Sequence, residues 1–319
     1  MRHEAFWLDA SDTTSLYVNR WFSEAPPKAV VMLAHGMAEH SGRYARFAEA
    51  LVADGFEVYG HDQRGHGRTA EHGTFGHYAD ADGWNKVVGD LNSLNHYIRQ
   101  QHHQVPILLF AHSMGSYIAL AYLMHHSCSL QGAILSGSNY QSISLYNVAK
   151  QLVRIERWRR GPKGTSKLLD FLSFGSFNNA LKPTRTEFDW LSRDPDEVDA
   201  YINDPLCGFS CTTQLWLDLM GGFQQITPVK HLAQIDSELP LLITGGACDP
   251  VSQGKRLADL ANALRSAGMR HVDLNIYPDA RHELLNETNR DDVTTHLRDW
   301  LNAALTRNRA HPTAAKETP

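Results

Sequence analysis

The stretch LLFAHSMGS, residues 108–116, decides how the chain reads. Leu108, Leu109 and Phe110 form the apolar run of a buried strand, Gly115 is a turn residue, and YIALAYLMHH beyond it has helical apolar spacing. A serine between a strand and a helix either caps the helix or stands on a tight bend as a nucleophile. In the second case the residues two before and two after it must be small, because the bend crowds their side chains. Ala111 and Gly115 meet that condition, although Ala111 adds a methyl to the glycine that opens the usual G-x-S-x-G.

Outward from this stretch the chain alternates. AVVMLAH (29–35), FEVYGHD (56–62), PILLFAH (106–112), GAILSG (132–137), PLLITGG (240–246) and VDLNIYP (272–278) read as strands. Most are continuous apolar runs, the pattern of a parallel sheet covered on both faces. Helical spacing fills 43–54, 83–103, 114–126, 252–267 and 287–306, and segments 4–9 and 15–22 read as an opening antiparallel hairpin. Strand alternating with helix predicts a doubly wound α/β sheet. The rhythm breaks over 140–228, where helix-like and aromatic stretches form one insertion, and a long insertion with its own helices predicts a lid or cap. The tail at 307–319 is polar and expected to be disordered.

Composition excludes several classes. The 319 residues are 42% hydrophobic and 20% charged with a net charge of −5, which argues against a nucleic-acid binder. No apolar run approaches the ~20 residues of a membrane span, and the N-terminus lacks a leader pattern, so the expected location is cytoplasmic. Four cysteines are too few for a disulfide framework. Cys207 and Cys211 lack a second Cys/His pair and read as free thiols rather than metal ligands.

A serine hydroxyl needs a base within hydrogen-bond reach, and the base needs an orienting carboxylate. Hydrolases of this kind run serine, acid, histidine along the chain. After Ser113, Asp249 follows the strand 240–246 and His282 follows the strand 272–278, both at strand carboxyl ends where α/β sites collect. Asp279 is the rival acid, and Asp249 has the alternative role of an Asx turn into Pro250. Amides of Met114, at the helix start, and of Met37, after His35-Gly36, would hold the developing oxyanion. GHDQRGHGRT (60–69) is not a phosphate loop; its Asp62 reads as tying down loop amides.

The stretches HGMAEHSGRY (35–44), GHDQRGHGRT, AHSMGS (111–116), NDPLCGF (203–209), GGACDPVS (245–252) and ARHELLNE (280–287) resemble the α/β-hydrolase superfamily. Within it they are similar to the monoacylglycerol lipase and lysophospholipase branch, grouped with the serine aminopeptidases. The resemblance runs from about residue 5 to 305 and departs from the family pattern at Ala111 and Ser116, where glycines are usual. It implies an eight-stranded, mostly parallel sheet with helices on both faces, a core of 1–139 and 229–306, and a helical cap over 140–228. It also implies Ser113, Asp249 and His282 as a catalytic triad, Met37 and Met114 as oxyanion-hole amides, a single-chain lipid or ester substrate, and no metal or organic cofactor. An aminopeptidase with the same triad would need a cap carboxylate for the substrate amine, and Glu187, Asp189 or Glu197 could serve. A non-catalytic binding protein on the same fold would lack a triad member. In 144–160, Leu145, Val148, Leu152 and Ile155 recur at helical spacing, and Arg154, Arg157, Arg159, Arg160 and Lys163 gather at the end. Such a segment either lies on an anionic membrane surface or packs inward as a lid helix.

Overall fold

The computed structural model describes residues 1–307, so the expected tail, apart from Arg307, lies outside the described residues. The strands are β1 (Arg2–Asp9), β2 (Ser15–Phe22), β3 (Ala29–Ala34), β4 (Phe56–His61), β5 (Ile107–His112), β6 (Gly132–Ser136), β7 (Leu241–Gly246) and β8 (Val272–Tyr277). Helices α1 (Ala45–Ala53), α2 (Gly83–Gln101) and α3 (Met114–His126) follow β3, β4 and β5. Between β6 and β7 come α4 (Ile143–Arg160), α5 (Lys167–Asp170), α6 (Pro195–Asn203), α7 (Thr213–Ile226) and α8 (Val229–Leu232). Helices α9 (Lys255–Ser266) and α10 (Arg290–Thr306) flank β8.

All eight strands share one sheet in the order β1-β2-β4-β3-β5-β6-β7-β8. The β1–β2 hairpin pairs Arg2 with Phe22 through Asp9 with Ser15, and β2 meets β4 antiparallel. From β4 onward every pairing is parallel. The reason lies in the side-chain period of two. Along β3, Val30, Met32 and Ala34 enter one core while Ala29, Val31 and Leu33 enter the other. The first core is closed by α2, α3 and α9, the second by α1 and α10. A strand buried on both faces has no polar side to show, hence the continuous apolar runs.

Helix α2 places Val87, Leu91, Leu94 and Ile98 on its buried face. In α3, Met114 through Met124 are all buried, because the sheet lies on one side and α2 and α7 pack on others. Helix α7 also packs on α4, so the helices inserted between β6 and β7 rest on the first core through α7. The strand ends of β3, β5, β7 and β8 therefore open toward the inserted helices along one edge, and the candidate residues stand there.

Candidate active site

Ser113 sits between β5 and α3 with φ 49° and ψ −120°, a strained conformation for a residue with a Cβ. Its amide donates to the Ser136 carbonyl at the end of β6 (2.8 Å). The Ser116 amide and hydroxyl both donate to the Ser113 carbonyl, at 2.8 and 2.6 Å. The hydroxyl of Ser116 thus adds a bond that holds the bend. A Cβ on Gly115 would lie 2.2 Å from the Ala34 carbonyl oxygen, whereas Ala111 is fully buried with its methyl part of the first core. The two positions flanking the bend differ in tolerance for that reason. Gly115→Ala is expected to destabilise by about 3 kcal/mol, since the obstacle is backbone. Ala111→Gly should cost only about 1 kcal/mol. Urea denaturation midpoints of the two variants check this.

The structure brings His282 and Asp249 together from the ends of β8 and β7. His282 Nδ1 lies 3.1 Å from Asp249 Oδ1, with both side chains essentially buried. The same Oδ1 accepts the Val251 amide at 2.9 Å, so Asp249 forms the Asx turn and faces the imidazole at once. The Nδ1–H direction falls off the line to the carboxylate, and Nδ1 and Asp249 Oδ2 are buried without a well-directed partner among the described residues. The contact becomes an ion pair when the imidazole takes a proton. Burial works against the imidazolium, but the Asp249 carboxylate, with Glu283 and Glu39 farther out, outweighs it and raises the His282 pKa above its ordinary value. Asp279 is exposed and leaves the acid position to Asp249.

Gly137, with φ 60°, explains how the histidine approaches β5. A Cβ there would lie 3.1 Å from His282 Cε1 and 3.1 Å from His112 Cε1. The His112 and His282 rings are tilted against each other at 4.7 Å between centroids. Burial pushes the His112 pKa down to about 4, so this neighbour remains neutral and does not repel a proton on His282.

The loop carrying Met37 is fixed beside Ser113. A Cβ on Gly36 would lie 3.3 Å from Ser113 Cβ. His35 Nε2 accepts the Gln63 amide (2.9 Å) while Nδ1 meets the Gly36 carbonyl (2.7 Å), and burial pushes its pKa down to about 3. The imidazole therefore works as a neutral strut. Met114 opens α3, so its amide is among those a helix leaves without an intrahelical acceptor. Asp62 has the structural role read from the sequence: it accepts Ser41 N (2.9 Å), Ser41 Oγ (2.5 Å) and Arg68 N (2.8 Å).

Two features escaped the sequence reading. The first is a buried charge cluster. Arg43 holds Glu283 through both guanidinium ends (2.6 and 2.7 Å) and Glu39 at 2.8 Å, while Glu39 also accepts Gly36 N (2.5 Å) and Tyr44 OH (2.9 Å). It ties the Gly36 loop to the residue after His282. The second is Trp190, from the insertion, whose ring lies 5.0 Å from that of His282 and belongs to an aromatic cluster with Phe174 and Phe177. Its segment is stitched to the histidine loop: His282 N to Trp190 O, Glu283 N to Leu191 O, and Arg281 to the carbonyls of Asp189 and Ser192. Of the three acids weighed for an amine site, Asp189 is occupied by the Thr186 amide and hydroxyl, and Glu197 by Arg46 (2.6 Å). Glu187 is exposed and lines a cavity within the insertion together with Phe174 and Phe209.

A parallel sheet with helices on both faces and a strained serine at the end of its central strand defines an α/β hydrolase. The chain belongs to the serine aminopeptidase, S33 family, whose pattern matches residues 25–289. It is 29% identical to the monoacylglycerol lipase of Mycolicibacterium smegmatis over 88% of this chain and 90% of that one. It is 26% identical to the human monoglyceride lipase over 87% and 82% of the two chains. A highly thermostable carboxyl esterase from Bacillus coagulans, solved in complex with glycerol, superposes with a TM-score of 0.87. That pair is 25% identical, and the match covers 96% of this chain and 99% of the other. The family resemblance and the eight-stranded fold read from the sequence are both borne out.

Proposed function

We propose that the protein is a serine hydrolase that cleaves carboxylic esters of single-chain lipids, monoacylglycerols or lysophospholipids, through an acyl-enzyme. The observation that carries this reading is the strained Ser113 bend on the same sheet edge as the buried His282–Asp249 pair. Ser113 Oγ attacks the ester carbonyl as His282 Nε2 takes its proton. The Met37 and Met114 amides receive the oxyanion, and His282 returns the proton to the leaving alcohol. Water activated by the same imidazole then releases the acid. The lipid part rests on the lipase relatives and on the apolar insertion. The direct test compares a monoacylglycerol and a lysophospholipid with an amino-acyl arylamide. Turnover of the arylamide alone would replace this reading by the aminopeptidase.

The base must be neutral to work, so kcat/KM is expected to rise with pH. Because His282 is raised by its carboxylate neighbours, the midpoint should lie above the ordinary ~6.5. Asp249→Asn removes that charge and should move the midpoint down while lowering kcat by about 10⁴-fold. An unshifted midpoint in the variant would remove Asp249 from this role.

Of the expected apolar stripe of 144–160, Leu152 is half-buried against the first core and the other three residues turn outward. On α4, Leu145, Val148 and Ile155 are exposed, as are Ile143 and Trp158, the last at 86% of its surface, while Tyr146 and Val153 face inward. Leu168, Phe171 and Leu172, a few residues farther along the chain, are exposed as well, and Arg154, Arg157, Arg159, Arg160 and Lys163 lie between or among them in sequence. No helix among the described residues is long and apolar enough to cross a membrane. This face suits peripheral contact with an anionic lipid surface. Val148→Ser with Trp158→Ser should weaken binding to phosphatidylglycerol vesicles about 100-fold, leaving hydrolysis of a water-soluble short ester unchanged. Cosedimentation and a p-nitrophenyl acetate assay measure the two halves.

A further inference from the structure

Cys207 and Cys211 do not form a metal pair of their own. The fold separates those two thiols in environment and brings Cys207 to different partners. His40, Asp204 and Cys207 each place one ligand atom within 4.8 Å of the others, and His40 Nε2 already meets Asp204 Oδ2 at 2.9 Å. His40 belongs to the Gly36 loop and the other two to the turn after α6, so two segments 164 residues apart in sequence meet here.

From this cluster we infer a binding site for a soft divalent cation, zinc in the first place, with imidazole, carboxylate and thiolate ligands. That donor set is the kind zinc takes in proteins. A tetrahedral zinc ion stands ~2.3 Å from sulfur and ~2.0–2.2 Å from nitrogen or oxygen, so its ligand atoms lie roughly 3.3–3.7 Å from one another. Taking these three requires side-chain shifts of up to about 1 Å, within the reach of a rotamer adjustment, and a slight opening of the 2.9 Å His40–Asp204 bond. Water fills the fourth position, since the three residues are only partly buried. Binding replaces the thiol proton by the metal: the S–H bond breaks, the metal–sulfur bond forms, and the proton leaves to solvent.

Three further observations support the site. The ligand backbone is already fixed: Leu206 N donates to Asp204 Oδ1 (2.8 Å), Cys207 N to Asp204 O (3.0 Å), and Gly208 N to Ala38 O (3.0 Å). Tyr201 OH also donates to Ala38 O at 2.9 Å, closing the two segments on each other. Around the thiol, three carboxylates, Glu39, Glu283 and Asp204, stand against the single Arg43 guanidinium, so a bound cation meets a net negative surround.

Cobalt(II) titration of the purified full chain tests the inference, because a cobalt–thiolate bond absorbs in the near ultraviolet. The expected result is a charge-transfer band in the unaltered protein that zinc displaces and that is lost in Cys207→Ser. His40→Gln should also lose it, and circular dichroism checks that each variant is folded. No band in the unaltered protein overturns the inference. So does a band that persists undiminished in Cys207→Ser, which would place the metal on the exposed Cys128 or Cys248. Neither outcome bears on ester hydrolysis, so the site stands or falls independently of the proposed catalytic role.

Discussion

Ser113→Ala is expected to lower kcat/KM for p-nitrophenyl butyrate by about four to six orders of magnitude and to leave the fold in place. The two halves have separate causes. Activity is lost because the only atom removed is the hydroxyl oxygen that would become the acyl carrier. Stability is kept because the bend is held by groups the substitution does not touch: the Ser113 amide on Ser136 O, and the Ser116 amide and hydroxyl on Ser113 O. Alanine inherits the positive φ at the same steric cost as serine, so the change in stability should stay within about 1 kcal/mol. Ser113→Gly is the instructive companion. It should be equally inactive yet more stable by roughly 1 kcal/mol, because glycine adopts φ 49° without strain. A gain in stability on deleting the side chain would show that the fold bears a cost for presenting it. A fluorophosphonate should label the unaltered chain at Ser113 and neither variant. If Ser113→Ala hydrolyses the ester at a rate near that of the unaltered chain, Ser113 is not the acyl carrier and the nucleophile lies elsewhere.

What was legible in the sequence follows from how each signal is encoded. Buried strands declare themselves because both faces of β3 and β5 are apolar, and turn residues punctuate them. Asp249 and His282 were legible because each lies a few residues past the end of a strand, β7 and β8, so their place on one edge is a matter of topology rather than of side-chain detail. The alternation of α4 was read correctly as a helix, but not its rotation. Tyr146 and Val153 lie on a face that periodicity ranks no higher than that of Val148 and Ile155, and only the packing against α7 decides which is inward. Trp190 sits in an irregular stretch where no period operates, and its neighbour His282 is 92 residues away. The Glu39–Arg43–Glu283 cluster was hidden for another reason: charged residues in a sequence look solvated, and nothing in HGMAEHSGRY says that its glutamate and arginine face inward.

That cluster gives the second large effect. Arg43→Met is expected to destabilise the protein by about 3–5 kcal/mol. On a chain of this size that lowers Tm by roughly 10 °C. Methionine fills the volume and removes the charge, leaving Glu39 and Glu283, whose side chains are 4% and 7% exposed, facing each other without a cation. Lysine should rescue only in part, because it cannot reach both oxygens of Glu283 while keeping Glu39. The pH dependence separates this account from simple loss of packing. Burial opposes the Glu283 charge, yet the Arg43 guanidinium overcomes it and pulls the pKa down to about 2. A carboxyl lowered in the folded state contributes stability above its unfolded pKa of ~4.3 and loses it as pH falls toward 2. Without Arg43 the burial is opposed mainly by the Asn286 amide bond to Glu283 (2.8 Å), so the folded pKa is expected to rise above the unfolded one and the folded state to bind the extra proton. Arg43→Met should therefore gain stability on acidification from pH 7 to 5, where the unaltered chain gains none from this group. Glu283→Gln in the Arg43→Met background should recover part of the loss at pH 7, since an amide needs no counter-charge. If Arg43→Met melts within about 1 kcal/mol of the unaltered chain at pH 7, the cluster is not what holds the Gly36 loop against the His282 segment. The helical segment Pro195–Asn203, linked to Arg46 through Glu197, would then have to carry that load from outside.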